Sequence, residues 1–76
     1  MNFEYDKLVG ERIREEREAQ GMTQEQLAAR LQTLGCDVTR SALAKIEVGQ
    51  RHIYTDEIRY IKDILNVSFD CLFPRL

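Results

Sequence analysis

Apolar positions recur at helical spacing along most of the chain, and no stretch alternates as a strand would. The pattern predicts five short helices. Over residues 6–20, Leu8, Val9, Ile13 and Arg17 share one face, and Gly21 follows as the natural stop. The second helix opens at Thr23, because Thr23, Gln24, Glu25 and Gln26 spell a capping box. Leu27, Ala28, Leu31 and Leu34 then form its apolar stripe, ended by Gly35. The third opens at Thr39, with Ala42, Leu43 and Ile46 inward and Gly49 as its stop. The fourth begins near Thr55, where Asp56 and Glu57 suit the positive end of a helix. Ile58, Ile61, Ile64 and Leu65 make its apolar face. A short fifth helix over residues 68–73 carries Phe69, Leu72 and Phe73, and Pro74 ends it. The alternating Arg and Glu of residues 11–18 read as a solvated surface with i,i+4 charge pairs. Tyr5, Tyr54 and Tyr60 read as half-buried packing residues with a wet hydroxyl.

With 76 residues there is room for one small domain, 1–76. Hydrophobic residues make up 43% and charged residues 32%, a globular balance. No run of about 18 apolar residues is present, which argues against a membrane-spanning helix. The opening Met1–Asp6 has no apolar region of the signal-peptide kind. The formal net charge of -2 argues against indiscriminate coating of nucleic acid or anionic membrane. The two cysteines, Cys36 and Cys71, form no CxxC pair, and the single His52 has no metal-ligating neighbour in sequence, so no metal site is expected. Both thiols read as reduced core fillers, a Cys36–Cys71 disulfide being the alternative. The chain also lacks a Ser/His/Asp or Cys/His set and a phosphate-cradling glycine loop. We therefore expect neither an enzyme nor a cofactor.

The second and third helices, joined by a short glycine-containing turn over about residues 23–48, form a helix-turn-helix candidate. The residues sharpen this. Gly10, Glu11, Arg12, Ile13 and Arg14, then Arg17, then the run Gly21–Ala28, the run Thr39–Glu47, Gly49 and the run Val67–Phe73 stand in one order. Together they resemble the phage-repressor and Cro type of helix-turn-helix, the XRE family. The resemblance implies an all-α, lambda-repressor-like domain of five helices whose third helix, about residues 39–48, lies in the DNA major groove. A major groove about 12 Å wide admits one such helix. Carried over position by position, Arg40, Ser41, Ala44 and Lys45 are the implied base contacts. Thr23, Gln24, Thr39, Arg51 and His52 are the implied DNA-backbone contacts. Arg17 and Glu47 are the implied structural ion pair. Charge is consistent with this, since over residues 36–52 Arg40, Lys45 and Arg51 outnumber Asp37 and Glu47, while the flanking segments are net acidic.

Three positions depart from the family pattern. The stretch between Leu31 and Thr39 is several residues longer than is common, which predicts a longer second helix with the extra residues bulging at its end. Glu16 replaces an apolar residue and is expected to loosen the first helix or pair with a nearby Arg. Gln50 replaces a common Lys, which with a pI near 5.3 predicts modest DNA affinity. One such domain covers a half-site, so a homodimer on a palindromic operator is expected, with Phe69, Phe73 and Leu76 as its candidate patch. The reading is a cytoplasmic, bacterial or phage-encoded DNA-binding regulator, a repressor rather than an activator. The alternative is an antitoxin or phage control protein that uses the same fold chiefly to bind a protein partner.

Overall fold

The computed structural model describes residues 3–75. Their regular structure consists of α1 (Phe3–Ala19), α2 (Gln24–Thr33), α3 (Arg40–Glu47), α4 (Thr55–Leu65) and α5 (Phe69–Leu72), and no strand occurs among the described residues. The all-α, five-helix expectation holds. Helix α1 starts at Phe3 rather than residue 6, with Glu4 and Asp6 in its first turn. The Tyr5 hydroxyl donates to the Pro74 carbonyl at 3.0 Å, a contact between the two ends of the chain.

Local chemistry sets the other starts. The Thr23 hydroxyl accepts the Gln26 N–H at 3.1 Å, and Gln26 Oε1 accepts the Thr23 N–H at 2.8 Å, closing the capping box of α2. The Thr39 hydroxyl accepts the Ala42 N–H at 3.1 Å and starts α3. At α4 the Glu57 carboxylate reaches back to the Tyr54 N–H at 3.0 Å. Tyr54 itself is 60% exposed rather than half-buried. Its ring stands off the core beside the Arg51 guanidinium at 5.6 Å and the His52 ring at 5.8 Å.

The long connection between α2 and α3 does not bulge. Gly35 takes a left-handed backbone at φ 83°, which lets the Gly35 N–H reach the Gln32 carbonyl and the Cys36 N–H reach the Leu31 carbonyl, each at 2.9 Å. The chain then runs back along the core, with the Cys36 and Val38 side chains buried and Leu34 and Asp37 outward. Leu34, expected in the apolar stripe of α2, is thus half exposed.

One core gathers Val9 and Ile13 of α1, Leu27 and Leu31 of α2, Val38 of the connection that follows, Leu43 and Ile46 of α3, Ile58, Ile61 and Leu65 of α4, and Leu72 of α5. Burying each of these larger side chains contributes about 1.5–3 kcal/mol. Helix α1 packs on α3, α4 and α5, while α2 packs on α3 and α4. Arg12 Nε donates to the Cys71 carbonyl at 2.8 Å and ties α5 to α1. Glu16 lies 3.9 Å from Arg12 Nη2. Both cysteines are free thiols, and burial, with the charges of Glu57 and Asp56, pushes the Cys36 thiol up against the opposing pull of Arg51. No described helix is long and apolar enough to cross a membrane.

Candidate nucleic-acid interface

Helix α3 has two flanks of opposite character. Leu43, Ile46 and Glu47 point inward and are buried, while Arg40, Ser41 and Lys45 point outward and are exposed, with Ala44 half-buried between them. Those outward positions lie on one side of the helix at i, i+1, i+4 and i+5 spacing. Val48, half exposed just past the last turn, extends the same stripe by one more step. Sequence reasoning missed it. The i+3 and i+7 spacing from Lys45 and Ser41 was the available signal.

The inner flank is fastened to α1 in two ways. Arg17 Nε and Nη2 donate to the two carboxylate oxygens of Glu47 at 2.8 and 2.9 Å, and Arg17 Nη1 donates to the Met22 carbonyl at 2.8 Å. Gln24 Nε2 donates to Glu47 Oε1 at 3.0 Å, bringing the start of α2 into the same network. Arg17 is 7% exposed and Glu47 2%. Every buried polar side-chain atom among the described residues has a partner, which is the condition under which a buried charge pair is tolerated. The hydrogen bond to Glu47 raises the Arg17 pKa despite its burial, so the guanidinium stays charged. The second fastening is steric. A Cβ on Gly10 would sit 2.2 Å from the Ile46 carbonyl oxygen, so only glycine allows α1 to lie this close to the backbone of α3.

The residues assigned to the DNA backbone divide into two groups. Thr23 and Thr39 are exposed at the N-termini of α2 and α3, where the helix dipole favours an anion. Gln24, Arg51 and His52 are already engaged within the protein. Gln24 serves Glu47 as described. Arg51 Nη1 and Nη2 donate to both carboxylate oxygens of Glu57 at 2.9 Å, and Nη1 also to the His52 carbonyl at 2.9 Å. His52 Nδ1 lies 3.0 Å from Asp6 Oδ2. The loop after α3 is therefore clasped to α1 through Asp6 and to α4 through Glu57. These bonds hold the Glu57 carboxyl below the usual carboxylate range, chiefly through Arg51, and against burial, which pushes it up.

Between the end of α1, the start of α2 and the tip of α3 lies an open groove of about 600 Å³, whose lining includes the basic Arg17 and Arg40, the acidic Glu18 and Glu25, and the polar Thr23 and Gln24. It places two helix N-termini and the exposed guanidinium of Arg40 on one side of the molecule. Such a surface can bind polyanions and donate hydrogen bonds to base edges. At the opposite end of the chain, Phe69 and Phe73 are exposed and stack at 6.1 Å, with Lys62 Nζ 5.4 Å from the Phe69 ring. Leu76, the third member of the candidate patch, lies outside the described residues. Among the described residues no group of three or more His, Cys, Asp or Glu is placed to hold a metal ion.

A search of curated proteins and a search of solved structures each returned no match. The helix-turn-helix family model matches residues 13–70, from the middle of α1 into α5. That match covers most of the chain and includes both flanks of α3. The chain belongs to the helix-turn-helix family of the Cro/XRE type, a family of DNA-binding transcription regulators.

Proposed function

We propose that this protein is a sequence-specific repressor that inserts α3 into the major groove and works as a homodimer on a palindromic operator. The observation that carries the reading is the two-sided construction of α3. An exposed flank of Arg40, Ser41, Ala44 and Lys45 is backed by a buried flank that fixes its direction. Arg40 donates to guanine O6 and N7, Lys45 to a base edge or a phosphate, and Ser41 and Ala44 let the helix approach closely. Thr23 and Thr39 grip phosphates at helix N-termini. Gln24, Arg51 and His52 contribute to backbone binding by holding α2 and the loop after α3 in place, since each has an internal partner. Repression needs only site occupancy. The exposed Phe69–Phe73 stack is the proposed dimer patch. It would set two copies of α3 one DNA turn apart, about 34 Å.

Selecting bound sequences from a random duplex pool tests this directly. An enriched palindrome with half-sites one turn apart is expected. Binding should weaken with salt at a log–log slope of about -0.9 per phosphate contacted, so few contacts give a shallow slope. A pool that yields no preferred sequence would remove specific repression and favour the protein-binding alternative, an antitoxin or phage control protein.

A further inference from the structure

Of the two cations on the outward flank of α3, Arg40 has a carboxylate beside it. Arg40 Nε lies 3.9 Å from Glu25 Oε1, whereas among the described residues Lys45 makes no ion pair. The two partners come from different helices, Glu25 from the first turn of α2 and Arg40 from the first residue of α3. Leu27 and Leu31 of α2 and Leu43 of α3 lie in one buried core, which fixes the two helices relative to each other and keeps the two side chains within reach. The side chains are 62% and 80% exposed, and the separation is that of an ion pair rather than a hydrogen bond. Such a contact does little for folding. Its consequence is for where the guanidinium points.

A guanidinium carries five N–H groups in a planar fork, and reading guanine takes two of them, aimed in parallel at O6 and N7. An arginine free to swing finds phosphate as readily as a base, and a phosphate contact carries no sequence information. We propose that Glu25 is a positioning residue that sets specificity. It draws the Nε side of Arg40 toward α2, which presents the Nη1 and Nη2 edge to the base, and its negative charge disfavours capture of Arg40 by phosphate on non-cognate DNA. The inference rests on the proposed placement of α3 in the major groove. Glu25 lies beside the groove that receives the backbone at Thr23, so its charge weakens every DNA complex. Only a complex in which Arg40 reaches its guanine regains the loss.

The test has one arm without DNA and one with it, both on the full chain with Glu25→Gln. The side chain is largely in water, so the variant should melt with the wild type. In the free protein, ¹⁵N relaxation of the Arg40 Nε–H should report greater mobility in the variant. With DNA, the ratio of cognate to non-cognate affinity should fall about two- to fivefold, the range open to an exposed ion pair. The fall should come mainly from tighter non-cognate binding and be confined to the base pair that Arg40 reads. Repeated in an Arg40→Ala background, Glu25→Gln should leave base preference unchanged. Equal Arg40 mobility in both proteins, an unaltered affinity ratio, or the same loss with Arg40 absent would each overturn the role of Glu25. A wild-type protein that selects no DNA sequence would instead sink the major-groove reading, and this inference with it.

Discussion

The two ends of α3 meet the rest of the protein in opposite ways. At its C-terminal end, Glu47 receives two hydrogen bonds from Arg17 and one from Gln24, all between 2.8 and 3.0 Å, and the Ile46 carbonyl lies against Gly10. At its N-terminal end, Arg40 has one carboxylate at 3.9 Å and otherwise faces water. Both ends join an arginine to a glutamate. Only the buried one fixes the helix, because a charge removed from water must be matched closely, whereas an exposed one is already solvated. The helix is thus held at one end and left free to make new contacts at the other. Variants at the first end should act on stability and variants at the second on DNA recognition.

The largest effect is expected from Glu47→Ala. It leaves Arg17 charged and buried with only the Met22 carbonyl, and removing one member of such a pair costs about 3–5 kcal/mol. Thermal denaturation should show a loss that approaches the whole stability of so small a protein. A melting temperature near that of the wild type would abolish the distinction between the two ends. Gly10→Ala is the next test, and its sign is informative. Helix propensity alone predicts a gain of about 0.8–1.0 kcal/mol for replacing a mid-helix glycine. The Ile46 carbonyl, 2.2 Å from the added carbon, predicts a loss of about 1–3 kcal/mol, because backbone cannot swing aside as a side chain can. A stabilised variant would show that α1 and α3 are not in close contact at this position.

At the open end, Arg40→Ala should reduce binding to the selected operator by about 1–3 kcal/mol while affecting random duplex much less. Its free energy of unfolding should stay within the range of surface substitutions, about 0.5 kcal/mol either way. Equal losses on both DNAs would reduce Arg40 to a phosphate contact. A large loss of stability would show that the N-terminal end of α3 is also an anchor.

Much of this architecture was legible because short-range chemistry determines it. The capping box at Thr23, the cap at Thr39 and the stop at Gly35 are each written within a few residues of one another. What remained hidden depends on partners far apart in the chain. Gln24, Arg51 and His52 carry groups suited to phosphate, and nothing near them in sequence reveals that Glu47, Glu57 and Asp6 fold onto them. The early start of α1 was invisible for the same reason, since Tyr5 bonds to Pro74 at the other end of the chain. The connection from residue 34 to 38 was misread as a bulge because alternate burial of Cys36 and Val38 over so few residues is too brief to register as a pattern. Helical spacing did separate the inward Ile46 from the outward Arg40, but it says nothing of how closely another helix approaches either of them. The Arg17–Glu47 anchor was expected from the family resemblance, whereas the close approach of Gly10 to the Ile46 carbonyl, which completes the held end, was not.

The smallest effect concerns the loop just beyond the held end, where the Arg51–Glu57 clasp repeats the geometry of Arg17–Glu47 with more solvent around it. Arg51, and secondarily the Tyr54 N–H, keep the folded Glu57 carboxyl below its ordinary range even though burial opposes them. In the window between the depressed folded value and the ordinary unfolded one, the unfolded chain binds more protons than the folded one. The stability from this clasp is therefore fully present above the ordinary carboxylate range and is lost as the pH falls through the folded value. The difference in melting temperature between the wild type and Glu57→Gln isolates that contribution from every other carboxylate. It should be constant from neutral pH down to the ordinary carboxylate range and shrink on further acidification. A difference that persists unchanged into strong acid would mean that Glu57 acts through packing and hydrogen-bond shape rather than charge, and that the loop after α3 is held in a different way from the helix it follows.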